Sequence, residues 1–240
     1  MAVVFASDVH LAPERPDISK RFFSFLEKQA GRVDALYLLG DLFEAWVGDD
    51  DDDEFAELVK KNLRALSDSG VAVYLMHGNR DFLIGKQFAA ASGCQLIDDP
   101  ARLELYGETL LLSHGDALCT DDLEYQEFRK EVRDPQWQEQ FLRKSLAERR
   151  DFARQARDAS TQHQQQQSVE IGDVNQQAVE TLIAEQQVSL LLHGHTHRPA
   201  VHDFKLSNGT DARRIVLGAW YEQGSMVRWD ENGIELIRGI

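Results

Sequence analysis

A layered α/β fold is what this chain predicts, and three observations carry that expectation. In the first part of the chain, short apolar runs alternate with amphipathic segments of helical period, as parallel strands do when helices cover them. After a helix-rich stretch, strand-like runs return at Val188. Five of the apolar runs end in Asp, Asn or His, which would gather nitrogen and oxygen ligands along one edge of a sandwich of sheets.

In chain order, Val3–Ser7 reads as a strand, Ile18–Gln29 as an amphipathic helix and Ala35–Leu39 as a second strand. Phe55–Asp68 reads as a helix ended by Ser69-Gly70, and Val71–Met76 as a third strand. Phe82–Ala91 has helical character, with Asp81 as its cap and Gly93 as its stop. Leu103–Leu105 and Thr109–Ser113 flank Tyr106-Gly107-Glu108, which suits a hairpin. Asp121–Arg157 is helix-rich, broken at Asp134-Pro135 and followed by the low-complexity Gln162–Gln167. Val188–Leu192, Ile215–Leu217, Ser225–Trp229 and Ile234–Arg238 complete the sheets. The expectation is a single domain over 1–240 whose sandwich core is interrupted by a helical insertion at about 121–170.

The chain's 240 residues suffice for one core. A net charge of -15 argues against a general nucleic-acid binder, which wants a basic surface. Residues 1–6 are apolar but too short for a signal segment and carry no basic start. No apolar run approaches the roughly 18 residues of a membrane span. Cys94 and Cys119 form no disulfide framework. A soluble cytoplasmic protein is expected.

The chemistry concentrates in five short blocks. These are Asp8-Val9-His10, Gly40-Asp41, Gly78-Asn79-Arg80-Asp81, His114-Gly115-Asp116 and His193-Gly194-His195-Thr196-His197. Singly each has an ordinary reading. Asp-x-His is more often a capped turn than a ligand pair, Gly-Asp is a common strand-to-loop turn, Asn79 suits a turn and His114 a surface imidazole. Three imidazoles in one turn after a buried strand are harder to explain, because they would repel when protonated. Together the blocks read as a two-metal hydrolase site. A carboxylate shared by two cations, flanked by imidazole and amide, suits Mn, Fe or Zn better than Ca or Mg. Two such ions roughly 3.5–4 Å apart can clamp a phosphoryl group during in-line attack. Glycine beside the ligands permits sharp turns and close approach of a phosphate.

The five blocks resemble those of the calcineurin-like metallophosphoesterases. The resemblance is closest to members that cleave UDP-2,3-diacylglucosamine in lipid A biosynthesis. Leu39–Trp46, His77–Leu83, His114–Asp122, His193–Pro199 and Val216–Trp220 carry it, over nearly the whole chain. It implies a four-layer α/β/β/α sandwich with the helical insertion as a lid. It implies two Mn²⁺ per chain, one on Asp8, His10, Asp41 and His197, the other on Asp41, Asn79, His114 and His195, with Asp41 bridging. Water would attack the α-phosphorus of UDP-2,3-diacylglucosamine, giving UMP and the 1-phosphate of the diacylated sugar. Arg80 would stabilise the phosphoryl oxygens, and His193 would act from a second shell or as an acid, a structural strand-end role being its alternative. Asn79, Arg80, Asp122, Ser160, Gln164, Gln167 and His195 fall where such enzymes bind substrate. The implied setting is a monomer at the cytoplasmic face of the inner membrane, held peripherally, with a nucleotide-sugar lipid as its partner and no nucleic acid.

Two departures from the family concern the insertion. Its Gln136–Gln140 and Arg143–Ser145 are more polar than the apolar run of relatives, which weakens the expected membrane contact. Gln164 and Gln167 stand where relatives have Asn and Lys, and glutamine cannot replace lysine's charge. Arg157 is the expected compensation. Residues 129–157 hold nine Lys and Arg against five Asp and Glu, so this segment either meets anionic headgroups and phosphates or forms solvated helices with internal ion pairs. Trp137, Phe141, Leu142 and Leu146 make a modest apolar stripe.

Other features carry less. Asp49–Asp53 lacks calcium-loop spacing and reads as a solvated loop or helix start. Trp46 lines the site or packs the core; Trp220, Tyr221 and Trp229 are expected to pack the second sheet. His163 is expected to be exposed, and Cys119 an inert thiol. Two alternatives to the leading function stay open: another dinuclear metallophosphoesterase, acting on dinucleotide polyphosphates, cyclic nucleotides or phosphoproteins, and a non-catalytic scaffold. The extended strings speak against the first. The scaffold is disfavoured because all seven proposed ligands are retained.

Overall fold

The computed structural model describes residues 2–51, 53–166 and 172–240, the side chains of 161 and 163–166 excepted. Eleven strands and seven α-helices are described. In order they are β1 (Ala2–Ala6), α1 (Pro16–Gln29), β2 (Val33–Leu39), α2 (Glu54–Asp68), β3 (Ala72–Met76), α3 (Lys86–Ser92), β4 (Cys94–Ile97), β5 (Ala101–Leu105) and β6 (Glu108–Ser113). A 3₁₀ turn at Asp116–Leu118 follows. Then come α4 (Leu123–Val132), α5 (Pro135–Leu142), α6 (Leu146–Gln166), α7 (Gln176–Glu185), β7 (Leu190–His193), β8 (Ala200–Lys205), β9 (Asp211–Val216), β10 (Ser225–Asp230) and β11 (Gly233–Arg238).

The strands form two sheets, ordered β11-β10-β1-β2-β3-β4 and β5-β6-β7-β9-β8. β1 to β4 run parallel, as do β6, β7 and β9. Parallel strands are covered on both faces, which is why they read as unbroken apolar runs such as Leu110–Leu112 and Leu190–Leu192.

Three apolar clusters lie between the layers. Phe5, Tyr37, Leu39, Leu112, Leu192 and Ile215 interdigitate between the sheets. Ile18, Phe22 and Leu26 of α1, with Val59, Leu63 and Phe88 of α2 and α3, pack on the outer face of the first sheet. Val179 and Ile183 of α7 cover the outer face of the second. The order is therefore α/β/β/α, as the resemblance implied. The β5–β6 hairpin turns through Tyr106-Gly107, both at positive φ, the geometry of a two-residue turn between antiparallel strands.

Several sequence expectations need correction. Helix α3 starts at Lys86 rather than Phe82, because Asp81 is not its cap. Asp81 is fully buried and accepts from the backbone N–H groups of Gly78 (2.8 Å) and Leu42 (2.7 Å). The cap comes from the acidic run instead: Asp49 accepts from Gly85, Gln87 and Phe88 N–H groups. Asp53 caps α2. Strands β4 and β8 and helix α7 were not foreseen; β4 and β8 are edge strands, β4 only four residues long and β8 largely exposed. Trp220 packs on Phe22 and Phe25 of α1 rather than on the second sheet, and Trp229 lies between the sheets. Trp46 packs on Phe43 and Phe88, in the core.

The basic segment is tied to that same acidic run. Arg149, buried, reaches Asp50 and the Val47 carbonyl, and Arg150 pairs with Asp51. Arg157 lies 3.6 Å from Glu44, and Arg129 2.8 Å from Asp116. Much of its charge thus docks helices on the core. Trp137 stacks on Phe141 and meets Phe152 and Phe82, so these two residues of the stripe are packing, whereas Leu142 is exposed. Among the described residues no helix is long and apolar enough to cross a membrane.

Candidate metal centre

The C-terminal ends of β1, β2, β3, β6 and β7 meet along one edge, and each delivers its block there. The loops are joined to one another by their backbones. Asp8 N–H donates to the Gly40 carbonyl, His10 N–H to that of Asp41, Gly194 N–H to that of His114 and Trp220 N–H to that of Asp8.

Asp8, His10 and His197 present ligand atoms within 4.8 Å of one another, and so do Asp8, Asp41 and His114. Asp41 faces both ways: Oδ2 lies 3.8 Å from His10 Nε2 and Oδ1 3.7 Å from His114 Nε2. The Asn79 Oδ1 is 3.0 Å from His114 Nε2 and 2.9 Å from His195 Nδ1. All seven residues singled out as ligands come together.

The imidazoles are oriented from behind. His10 Nδ1 bonds Glu44 at 2.8 Å, His114 Nδ1 bonds the Leu39 carbonyl at 2.8 Å, and His197 Nδ1 bonds the Tyr221 hydroxyl at 2.6 Å. Each therefore turns Nε2 inward, as metal-ligating histidines do when an outer partner fixes the ring. Glu44 and Tyr221 were not singled out from sequence. Glu44 stood inside a quoted string with nothing to mark it, and Tyr221 was taken for core.

Electrostatics fit a cation. Burial alone would raise the Asp8 carboxyl, but the hydrogen bond and charge of His197, with His114 and His10, hold it well below the usual carboxylate range. At Asp41 burial prevails over the two imidazoles, and Asp81 and Asp8 add to it, so its carboxyl is raised. Burial disfavours charge on His114, yet Asp41, Asp116 and Asp8 push it up to about 9. Burial, assisted by His114, pushes His195 down to about 3. Carboxylates and imidazoles this crowded are eased by a divalent ion, and the N/O set matches the borderline first-row metals.

Arg80 is half-buried beside the cluster, its guanidinium 3.8 Å from Glu44, while its backbone N–H donates to Asp41 Oδ1 at 2.8 Å. His193 is not among the converging side chains. It is fully buried, Nδ1 on the Gly194 carbonyl and Nε2 3.2 Å from Arg214, and burial with that guanidinium pushes it down to about 4. Asp122 caps α4, and Arg157 and Ser160 lie one turn apart on α6, half-buried. The side chains of Gln164 and His163 and the whole of Gln167 lie outside the described residues. Cys119 is buried and pushed up to about 12 by desolvation, an inert thiol.

The family model of the calcineurin-like phosphoesterases matches residues 1–199. The UDP-2,3-diacylglucosamine hydrolase of Stenotrophomonas maltophilia (strain K279a) is 48% identical, with 98% of each chain covered. That of Serratia proteamaculans (strain 568) is 48% identical over 99% of both chains. That of Escherichia coli O7:K1 (strain IAI39 / ExPEC) is 48% identical over 99% of this chain and 98% of its own. With this similarity running end to end, and with all five blocks gathered where the strand ends of the two sheets meet, the chain belongs to the calcineurin-like phosphoesterase family, in the branch that holds those hydrolases.

Proposed function

We propose that the chain hydrolyses the pyrophosphate bond of UDP-2,3-diacylglucosamine by attack of water at the α-phosphorus, releasing UMP and 2,3-diacylglucosamine 1-phosphate for lipid A biosynthesis. The observation that carries this reading is full-length identity of 48% to hydrolases of that name, joined to a complete converging ligand set.

In this reading the metal is manganese, two ions per chain. Asp8, His10, Asp41 and His197 hold one; Asp41, Asn79, His114 and His195 hold the other. When bound, the ions would supply Lewis-acid polarisation of the phosphoryl oxygens and a water acidic enough to attack at neutral pH. The rest falls to the chain's own groups. Glu44 and Tyr221 keep His10 and His197 turned inward. Arg80 offers positive charge where the phosphoryl oxygens gain negative charge. Asn79, His195 and Arg80 touch the substrate's phosphates. His193 supports the Gly194 turn from behind rather than moving a proton, since its ring is buried against Arg214.

Helices α4 to α6 act as a lid on a single domain spanning 1–240. Asp122, Arg157, Ser160, Gln164 and Gln167 take the sugar and its phosphate, Arg157 providing charge that Gln167 lacks. The acyl chains lie between the lid and the core, and the protein works as a monomer in peripheral contact with the cytoplasmic face of the inner membrane.

The test is UMP release from UDP-2,3-diacylglucosamine with Mn²⁺ and after chelation, in wild type and Asp41→Ala. Metal-dependent UMP that the substitution abolishes is the expected result. Metal-dependent cleavage of a simple phosphodiester without UMP would keep the site and reject the substrate. Hydrolysis in ¹⁸O-water should label UMP; label in the sugar phosphate would place the attack at the β-phosphorus.

A further inference from the structure

Asp116 closes one of the five blocks, yet its side chain is not among the ligands. It is completely buried. Its Oδ2 accepts from the Tyr125 hydroxyl and the Arg129 Nε, both at 2.8 Å, and Arg133 lies 3.8 Å away. These three partners, the last of them the C-cap of α4, are spaced by four and so share one helix face. The Asp116 carbonyl also accepts from the Gln126 amide. One buried carboxylate therefore fastens α4 to the end of β6.

Two of the partners continue to the site. The Tyr125 ring stacks on His195, with centroids 5.8 Å apart and planes 29° apart. Arg133 donates to the Gly78 carbonyl at 2.9 Å, the residue before Asn79. His195 and Asn79 belong to the same half of the cluster, in direct contact. The other half has separate supports, Glu44 behind His10 and Tyr221 behind His197.

We propose that Asp116 is a positioning residue for one half of the centre. Through Tyr125 and Arg133 it sets the His195 ring and the Asn79 amide for a divalent cation. Uptake of that ion then depends on α4 being docked, while uptake of the other does not. The inference rests on the two-ion reading above, and outer partners of this kind typically govern metal affinity by about 10- to 100-fold.

The experiment is titration of metal-free protein with Mn²⁺, bound ions being counted from the loss of the free-ion EPR signal. His10→Ala isolates the Asn79–His195 half and His195→Ala the Asp8–His10 half. Adding Asp116→Asn should weaken the remaining ion about 10- to 100-fold in the His10→Ala background. It should leave the ion in the His195→Ala background unchanged. Tyr125→Phe, which keeps the stacked ring and loses only the hydroxyl, should act in the same direction by a smaller factor; it carries the comparison should Asp116→Asn fail to fold. Equal weakening in both backgrounds, or none in either, overturns the proposal and leaves Asp116 a plain anchor for α4. A wild type that takes up fewer than two ions instead overturns the two-ion reading, and this inference with it.

Discussion

At Asp8, His10, Asp41, His195 and His197 the backbone lies in the left-handed region, with φ between 52° and 65°. Each such non-glycine residue costs on the order of 1–3 kcal/mol and persists only where its surroundings dictate it. Here the surroundings are the bonds between neighbouring loops and the buried Asp81 that ties the Gly78 and Asp41 loops together. The glycines serve the same crowding. A Cβ on Gly78 would overlap the Asp41 carboxylate and backbone, and one on Gly194 would overlap Asp8 and Ser7. Close packing of one ligand loop on another explains these two glycines without a phosphate. Gly78→Ala should therefore displace Asp41, lower Mn²⁺ stoichiometry and cut UMP release by at least about 100-fold, as loss of a bridging ligand would. Its far-UV circular dichroism should stay native; full Mn²⁺ uptake in that variant would show the loop can yield.

Among the elements, the acidic run and the basic helix decided each other's roles. Read alone, Asp49–Asp53 is a solvated loop or a helix start, and the cations at 129–157 either meet lipid or phosphate or pair within their own helices. In the fold Asp49 caps α3, Asp50 and Asp51 receive Arg149 and Arg150, and Arg149 is sealed against the Val47 carbonyl. These partners sit 99 residues apart, so no local pattern could pair them. Arg149→Ala leaves the Val47 carbonyl without this donor and opens a void, at a cost of roughly 2 kcal/mol. For a chain of this size that is a fall of roughly 4–8 °C in Tm by thermal melting. Asp51→Asn, whose pair with Arg150 has an exposed cation, should stay within about 0.5 kcal/mol of wild type. Equal falls for the two would mean that burial of Arg149 does not matter.

On the scale of the whole molecule, the layers stand on the intersheet cluster, where Phe5 and Leu112 are fully buried. Phe5→Ala should cost about 3–5 kcal/mol and lower Tm by roughly 6–20 °C, a denaturant or thermal melt being the check; a loss under about 1 kcal/mol would mean the sheets close over the void. The central parallel strands, α1, α2, the β5–β6 hairpin and the five converging blocks were legible in the sequence. Buried parallel strands are apolar throughout, and their ligands fall immediately beyond the last apolar residue, so one reading finds strand and ligand together. Helix α7 and the edge strands β4 and β8 were not legible, since half-covered elements lack so clear a pattern. Nor were Glu44, Tyr221, Asp81 and Asp116, whose partners lie on other elements. The sequence by itself determined the layer class and which five blocks converge, because both follow from local alternation and from where each strand stops; which side chains of those blocks face one another it supplied only through the family resemblance. Only the tertiary structure decided what orients those side chains, because an outer hydrogen bond joins residues that no spacing along the chain relates.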